Sequence, residues 1–390
     1  MSESAQLLPV IEGFATGTPP HVLHQAEAAK FLTSLNCLER NQNRIEKIYE
    51  NTRIDTRYLA INLLSPETIE FSQKRNTLEE RMQMYEQYAF SLADEVARKA
   101  LLAASDPSSG VKIEDQIGLI VFVTSTGFVA PGIDTKLIES LGLKRNIARV
   151  PVNFMGCAAA MTGLRVCCDR VRAYPQSKAL MVCLELSSVN AVFNDDLNDI
   201  IIHSLFGDGC AAAVIGADTV ERLIGRGKFA IKDNFSHLVK GTEDGITLGV
   251  KDNGITCLLS RHLPDYIEDG VGTIVNDFLA THQMTKSDID LWAVHPGGRK
   301  IIEKVQLSLG LDDEQVADSW EILREYGNML SCSILFVMER MMLKLNESAA
   351  NSTTEGRRSN DPIERPRPIN GIAFSFSPGV GVEGILFEKI

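Results

Sequence analysis

The chain of 390 residues has 44% hydrophobic and 23% charged residues, typical of a globular protein with two domains or one large fold built from two halves. Its formal net charge of -12 argues against nucleic acid as the main partner, because phosphate binding needs a basic face. No segment approaches the roughly 20 apolar residues of a membrane helix, and the opening residues lack the pattern of a signal peptide. The eight cysteines show no paired spacing, so we expect reduced thiols in the cytoplasm and no metal site.

The first half of the sequence begins with helical patterns and continues with strands. Residues 24–35 and 77–104 carry apolar residues at helical spacing, with charged residues on the opposite face. Four strand-like runs follow, and helical patterns separate them. These runs begin at residues 117, 148, 178 and 210. Alternating strands and helices predict an α/β fold whose parallel or mixed sheet has helices on its faces.

The second half of the sequence repeats this combination of strand-like and helical patterns. A short strand ends in the glycine turn of "VHPGG", two helical patterns follow, and residues 370–390 resemble a closing hairpin. We therefore expect two pseudo-repeated halves, residues 1–225 and 226–390. The polar, proline-bearing segment 346–368 is predicted to be a surface loop.

Cys157 stands where a strand-like run gives way to a predicted helix that begins at Ala158. A thiol there lies at a helix N-terminus, where unpaired amides and the macrodipole favour an anion. The thiolate is the nucleophilic form, so this position suits a nucleophile. Local sequence alone also allows an inert, buried cysteine.

His295 and Asn328 are the candidate partners of that thiol. His295 follows an apolar strand and precedes two glycines, and Asn328 lies between a glycine and an apolar helix. A Cys-His-Asn set can form a thiolate, hold an acyl thioester and polarise a second carbonyl with two neutral donors. This set contains no strong base that could remove an α-proton from a substrate. Such a site suits condensation driven by loss of CO2.

Five motifs stand in the order and approximate spacing of chalcone-synthase-like type III polyketide synthases: "NFMGCAAA", "FGDG", "VHPGGRKII", "YGNMLS" and "SFSPGVGVE". The chain resembles this family, and its microbial branch in particular, over almost its whole length. The resemblance implies a cytoplasmic, homodimeric acyltransferase of thiolase-like fold with α-β-α-β-α layers. It implies coenzyme A thioesters as substrates and no further cofactor. By resemblance Cys157 carries the acyl group, and His295 and Asn328 activate the thiol and hold the malonyl thioester during decarboxylation.

The resemblance also implies residues that bind the substrates. Phe206 corresponds to a gate between the coenzyme A tunnel and the reaction cavity. Further positions are expected to line that cavity: Ser125, Ala130, Ser187, Asn190, Leu330 and Phe376. Basic residues and glycine amides are expected at the phosphates of coenzyme A: Arg53, Arg57, Gly297, Gly298, Arg299 and Lys300.

Small Ala130 and Ala158, with apolar Leu330, favour a cavity shaped for an aliphatic chain. We expect a medium or long acyl-CoA starter, extended two or three times with malonyl-CoA. The product is then an alkylresorcinol, an acylphloroglucinol or an alkylpyrone. The ring closure stays open at this point.

Other members of this fold offer alternatives. The main one is a ketoacyl-ACP synthase III-type initiating enzyme, which takes malonyl groups from a carrier protein. A thiolase needs a second cysteine in the closing segment, and none follows Cys332. A hydroxymethylglutaryl-type synthase needs a glutamate motif near the start, which is missing. An inactive scaffold is disfavoured because all three reacting residues are present.

Overall fold

The structure is a computed structural model that describes residues 7–73, 76–192, 194–354 and 368–390. The strands are β1 Leu7–Gly17, β2 His21–His24, β3 Thr56–Leu59, β4 Ile117–Thr124, β5 Ala148–Asn153, β6 Lys178–Glu185, β7 Gly209–Thr219, β8 Phe229–Leu238, β9 Ile246–Lys251, β10 Gly254–Leu259, β11 Leu291–Val294, β12 Ile369–Ser377 and β13 Gly381–Lys389.

The helices are α1 Gln25–Thr33, α2 Gln42–Glu50, α3 Pro66–Gln73, α4 Leu78–Ala104, α5 Ile113–Gln116, α6 Ile133–Ser140, α7 Ala159–Ala173, α8 Leu197–Leu205, α9 Val220–Leu223, α10 Leu263–Thr281, α11 Arg299–Leu309, α12 Ala317–Tyr326 and α13 Ser331–Thr354. Within the described residues, none of these helices combines the length and apolarity needed to span a membrane.

A nine-stranded mixed sheet runs in the order β11-β12-β13-β8-β1-β7-β6-β4-β5. The first half of the chain supplies β1 and β4 to β7, with β4 parallel to both β5 and β6. The second half supplies β8 and β11 to β13. The two groups meet between β1 and β8, where two residue pairs join them, Val10 with Ala230 and Ile11 with Phe229.

Helices α7 and α13 form a central layer between the two parts of the sheet. One apolar core contains residues from both helices together with residues from strands of both halves. Gly163 permits close packing of α7, because a Cβ there would lie 2.8 Å from the Met181 sulfur. A side chain in its place would push this helix away from the sheet.

The outer faces of the sheet are covered by other helices. Helix α4 packs on β1 and β7, and Gly13 allows this contact because a Cβ there would lie 2.2 Å from the carbonyl oxygen of Ala100. Helices α10, α11 and α12 share an apolar core with β11, β12 and β13. The resulting α-β-α-β-α order of layers confirms the expected thiolase-like fold.

Several elements differ from the sequence-based expectation. Strand β1 lies within a segment for which no strand was predicted, and the β9–β10 hairpin was missed as well. The expected loop 346–368 is wrong over its first part, because α13 continues to Thr354. The rest of that prediction, residues 355–367, lies outside the described residues. The boundary after residue 225 falls between α9 and β8, and the division into halves at that point stays a prediction.

Candidate active site

Cys157, His295 and Asn328 line one cavity of about 640 Å³, which we call the thiol cavity. The three residues come from three separate places: the start of α7, the end of β11 and the turn before α13. The expected convergence of these side chains is therefore present in the structure. Their chemical roles remain to be argued from geometry.

The thiol lies at the start of the central helix α7. Strand β5 ends at Asn153, and the chain then turns through Phe154 and Gly156, whose φ angles are 59° and 55°. Both angles lie in the left-handed region, which glycine adopts without a Cβ penalty. A short 3-10 turn over Gly156–Ala158 leads directly into α7. This sharp change of direction brings Cys157 into the cavity at the N-terminal end of the helix.

Asn328 holds its side-chain amide in a fixed orientation beside the thiol. Its Nδ2 donates to the carbonyl of Gly297 at 3.1 Å, and its Oδ1 accepts from the amide of Leu330 at 2.9 Å. The amide lies 3.9 Å from the Cys157 sulfur. The backbone N–H of Asn328 donates to the Leu205 carbonyl at 2.8 Å. The second N–H of the amide is therefore directed toward the Cys157 sulfur.

His295 is buried, with 1% of its surface exposed. Its backbone N–H donates to the Phe374 carbonyl at 3.1 Å, but among the described residues neither ring nitrogen has a hydrogen-bond partner. A Cβ on Gly297 would lie 3.2 Å from the ring, so glycine leaves room for the imidazole there. Burial lowers the pKa of His295 to about 3, which leaves the ring neutral at physiological pH.

Burial also determines the protonation state of the Cys157 thiol in the absence of a charged partner. It raises the pKa of the thiol, so the helix N-terminus by itself does not produce the expected thiolate. Proton transfer from Cys157 to His295 would create two opposite charges in the same cavity, and each would stabilise the other. The thiol and the imidazole are not hydrogen-bonded in the free protein. The imidazole is a group able to accept the thiol proton, and we expect activation of the sulfur to depend on it.

Sequence reasoning missed Glu185, which is fully buried behind the thiol cavity. Its carboxyl group accepts from the Ser125 amide at 2.9 Å, the Thr126 hydroxyl at 3.0 Å and the Ser331 hydroxyl at 2.6 Å. The Ser125 hydroxyl in turn accepts from the Gly156 amide at 3.1 Å. Burial raises the pKa of Glu185 to about 7. The available signal was a single glutamate at the end of the apolar run "ALMVCLEL".

A second cavity of about 190 Å³, the side cavity, adjoins the thiol cavity. Of the expected substrate-lining residues, Ser125, Ser187 and Asn190 line the side cavity, and Phe376 lines the thiol cavity. Phe206 and Leu330 line both. Ala130 is exposed and lines neither cavity of the single chain. By resemblance it corresponds to a residue that reaches across a dimer interface, so its place in the cavity stays a prediction.

Two of these polar side chains, Ser187 and Asn190, differ in their hydrogen bonding. The Ser187 hydroxyl is buried and has no hydrogen-bond partner among the described residues. Both polar atoms of the Asn190 amide bind backbone, because its Nδ2 donates to the Thr126 carbonyl at 2.9 Å and its Oδ1 accepts from the Ile255 amide at 3.2 Å. Ser187 is therefore free to bind a ligand group, whereas Asn190 binds protein backbone.

Four of the six residues expected at the phosphates line the thiol cavity: Gly297, Gly298, Arg299 and Lys300. Arg53 lies outside the lining but close to it, because its guanidinium is 3.8 Å from Glu303, which Arg299 contacts at 2.7 Å. Arg53 also lies over the ring of Trp320, 4.6 Å from its centre. Arg261 lines the same cavity and was missed, since nothing in its local sequence distinguishes it from a surface charge.

The expectation for Arg57 is wrong, because this residue lies in the protein interior with 1% of its surface exposed. Its Nε donates to the Gln25 side chain at 3.0 Å, and its Nη1 donates to the carbonyls of Phe206, at 2.9 Å, and His203. The guanidinium is thus consumed by internal acceptors. Its role is to hold the backbone at Phe206, and it is not placed to bind phosphate.

Comparison with known proteins shows how widely this architecture is shared. Family models of the chalcone and stilbene synthases match residues 2–219, as the N-terminal domain, and residues 231–390, as the C-terminal domain. The Mycobacterium tuberculosis protein named alpha-pyrone synthesis polyketide synthase-like Pks18 is 46% identical over 98% of this chain and 91% of its own length. A putative chalcone synthase of Bacillus subtilis is 29% identical over 84% of this chain and 89% of its own. The crystal structure of PKS-I from the brown alga Ectocarpus siliculosus matches with a TM-score of 0.90, at 42% identity over all of both chains.

Substitution of Arg53 and Arg57 tests whether Arg57 has the interior, stabilising role that the structure gives it. We expect Arg57→Ala to lower the free energy of unfolding by about 3 kcal/mol or more, because three buried acceptors lose their donor. Arg53→Ala should cost about 1 kcal/mol or less, since that guanidinium is exposed to solvent. Urea denaturation of both variants measures the difference. Equal losses would contradict the interior role of Arg57.

The dependence of the thiol on the imidazole is testable by alkylation. In His295→Gln we expect iodoacetamide to modify Cys157 at least about tenfold more slowly at pH 7, the effect of one pKa unit. Without a proton acceptor, burial holds the thiol pKa high, so the rate should recover only at alkaline pH. Peptide mapping by mass spectrometry measures the rate. The exposed His237→Gln serves as control, and an unchanged rate in His295→Gln would refute the dependence.

Proposed function

The chain belongs to the chalcone and stilbene synthase family and is a type III polyketide synthase, and on that premise we propose that it extends an aliphatic acyl-CoA starter with malonyl-CoA. Enzymes of this family are acyl-transferring condensing enzymes that use coenzyme A thioesters. The observation that supports the proposal is the meeting of Cys157, His295 and Asn328 in one cavity beside a second cavity with a partly apolar wall.

The first proposed step loads the starter. His295 accepts the proton of the Cys157 thiol, and the sulfur attacks the carbonyl carbon of the starter thioester. The bond to the sulfur of coenzyme A breaks, and this leaving thiolate takes the proton back from His295. The imidazole is then neutral again, as burial favours. The product of this step is an acyl thioester on Cys157.

The second proposed step makes the new carbon–carbon bond. Asn328 Nδ2 and a neutral His295 N–H donate to the thioester carbonyl of malonyl-CoA. They stabilise the enolate that forms as the carboxylate leaves as CO2. The enolate carbon attacks the acyl carbonyl, and the Cys157 thiolate leaves. Two neutral donors are sufficient because loss of CO2, and not removal of a proton, generates the carbanion.

The side cavity supports an aliphatic starter. Its walls include a set of apolar side chains: Leu59, Leu63, Ala191, Val192, Ile202, Leu248 and Ile255. Asn194 and Lys251, which are exposed, also line it, so the cavity extends from Leu330 toward the surface. An alkyl chain would bury its methylene groups there at a gain of about 0.8 kcal/mol for each. We propose a medium or long saturated chain as the occupant.

For the ring closure we propose lactonisation to an alkylpyrone. The name of the mycobacterial relative refers to alpha-pyrone synthesis, and that relative shares 46% of its residues with this chain. In this closure the enol oxygen of the extended chain attacks the thioester carbonyl, and the thiol is released. Leu330 and Phe376 provide apolar surface near this point. Alkylresorcinol and acylphloroglucinol are the alternative outcomes.

The remaining proposals concern coenzyme A, the oligomeric state and location. Arg261, Arg299 and Lys300 give the thiol cavity the positive charge that phosphates need. The edge strand β5 has only β4 as neighbour and mostly exposed side chains, which supports a homodimer formed through this edge. We propose the cytoplasm as the location, where acyl-CoA thioesters are available.

The division of roles can be tested by substitution. Cys157→Ala should carry no acyl adduct after incubation with decanoyl-CoA, because the accepting sulfur is gone. It should still release CO2 from malonyl-CoA, since His295 and Asn328 remain. Asn328→Ala should instead load the starter but decarboxylate about 10²–10³-fold more slowly, the usual cost of one oxyanion donor. Intact-protein mass spectrometry and labelled CO2 release measure the two activities, and equal loss of both in Cys157→Ala would contradict these roles.

Product analysis with a series of acyl-CoA starters tests the function as a whole. We expect saturated starters of medium or long chain to give triketide alkylpyrones with malonyl-CoA alone. Liquid chromatography with mass spectrometry identifies starter preference, number of extensions and ring type. An absolute requirement for an acyl carrier protein would instead favour a ketoacyl-ACP synthase III-type enzyme.

A further inference from the structure

The imidazole of His295 is held in the thiol cavity without a hydrogen bond of its own. Among the described residues neither ring nitrogen has a partner, although the residue is buried. A histidine that acts in catalysis is commonly oriented by a hydrogen bond to one ring nitrogen. In the absence of such a bond, the place of the ring follows from packing and from the backbone at the end of β11. The groups that hold this backbone therefore position the imidazole.

Strand β11 lies at the edge of the nine-stranded sheet and has only β12 as its neighbour. The N–H of His295 donates toward β12, to the Phe374 carbonyl at 3.1 Å. Successive N–H groups of a strand point in opposite directions, so the N–H of Val294 points away from the sheet. Val294 is fully buried. A buried N–H at this edge needs an acceptor from elsewhere in the fold.

The acceptor is the hydroxyl group of Ser319, which lies in the first turn of α12. Its oxygen is 3.2 Å from the Val294 nitrogen, and Ser319 is fully buried as well. The serine thus takes the place of a neighbouring strand at the residue directly before His295. The backbone is therefore held from both sides at this point, by Phe374 on one side and by Ser319 on the other.

The other end of α12 leads to the opposite side of His295. The helix ends at Tyr326, and Gly327, with a φ of 67°, turns the chain into Asn328. Asn328 Nδ2 donates to the Gly297 carbonyl at 3.1 Å, and the Gly297 N–H donates to the His295 carbonyl at 2.9 Å. The chain is therefore bonded one residue before His295 and two residues after it, from the two ends of one helix.

Helix α12 is itself firmly packed. Its residue Ile322 belongs to the apolar core around α7 and α13, and Leu323 belongs to the core shared with β11 and β12. Asp318, next to Ser319, lies 3.5 Å from Arg340 of α13. The end of β11 is thus positioned against a helix that packing holds in place.

We propose that Ser319 is a positioning residue for the reaction, because its hydroxyl group holds the end of β11 where the His295 imidazole can serve both Cys157 and the malonyl thioester. This inference rests on the proposed function, since it assumes those two roles of His295. Ser319 lines neither the thiol cavity nor the side cavity, so it acts through the backbone alone. A small displacement of the imidazole weakens its hydrogen bond in the transition state and leaves the binding of coenzyme A unchanged.

The test measures decarboxylation of malonyl-CoA by the full-length protein. In Ser319→Ala the Val294 N–H loses its acceptor, and kcat should fall about tenfold or more while KM stays within about twofold of the parent. Ser319→Thr keeps the hydroxyl group, and its kcat should stay within about threefold of the parent. Iodoacetamide should modify Cys157 about threefold or more slowly in Ser319→Ala at pH 7, because the same imidazole accepts the thiol proton.

Ser308→Ala is the matched control. The Ser308 hydroxyl accepts from the Gly272 amide at 2.9 Å, so this variant loses the same kind of bond between α10 and α11. Its melting temperature should fall, but its kcat should stay within about twofold of the parent. If Ser319→Ala loses stability as Ser308→Ala does, yet keeps the parent kcat and alkylation rate within about twofold, Ser319 has a structural role only and the proposal is overturned.

Two further variants keep the outcomes distinct. Ser319→Cys retains a similar volume with a weaker acceptor, so its kcat should lie between the parent and Ser319→Ala even if the alanine variant fails to fold. Unchanged decarboxylation in His295→Ala would overturn the proposed function itself. If His295→Ala is slow while Ser319→Ala and Ser319→Cys match the parent, only the role of Ser319 is refuted.

Discussion

The buried carboxyl group of Glu185 ties together the elements on which the active site depends. It accepts hydrogen bonds from Ser125 and Thr126, which follow β4, and from Ser331, the first residue of α13. Ser125 in turn binds the turn before Cys157. A buried carboxyl group is costly unless its oxygens are satisfied, so these partners cannot move independently without a large penalty. The starts of both central helices are thereby fixed relative to each other.

This arrangement explains how a site without a strong base supports condensation. Cys157 is presented by the start of α7, and Asn328 by the turn that precedes α13. His295 comes from the end of β11 and stays neutral because burial lowers its pKa to about 3. In the proposed mechanism, a neutral imidazole serves first as acceptor of the thiol proton and then as hydrogen-bond donor. The low polarity of the cavity strengthens each of these interactions relative to water.

Much of the fold was predictable, and the failures have physical reasons. Strands β4, β6 and β7 are continuous apolar runs, buried on both faces, and such runs are visible in sequence. Strand β1 was missed because Pro9 and Gly13 interrupt its pattern, although Gly13 is there for close packing of α4. The hairpin β9–β10 was missed because it lies outside the main sheet and is only partly buried.

The site residues also divide into those that the sequence predicted and those that it did not. The three central residues were found through their motifs, but motifs do not reveal burial. Arg53 and Arg57 lie four positions apart in "TRIDTR", yet one is exposed and the other is enclosed by backbone carbonyls. Glu185 was missed because its partners Ser125 and Ser331 lie in distant segments of the chain. Only the tertiary structure brings such pairs together.

The narrow joint between β1 and β8 has a consequence for how the molecule holds together. Only two residue pairs connect β1 with β8, so this strand pairing contributes little to the stability of the contact between the halves. The halves are held together mainly by the apolar faces of α7 and α13. A fragment ending near residue 225 would leave one side of α7 in contact with water, and the complementary fragment would do the same to α13. Neither piece would be a self-sufficient folding unit, and thermal melting of the whole should proceed as a single cooperative event.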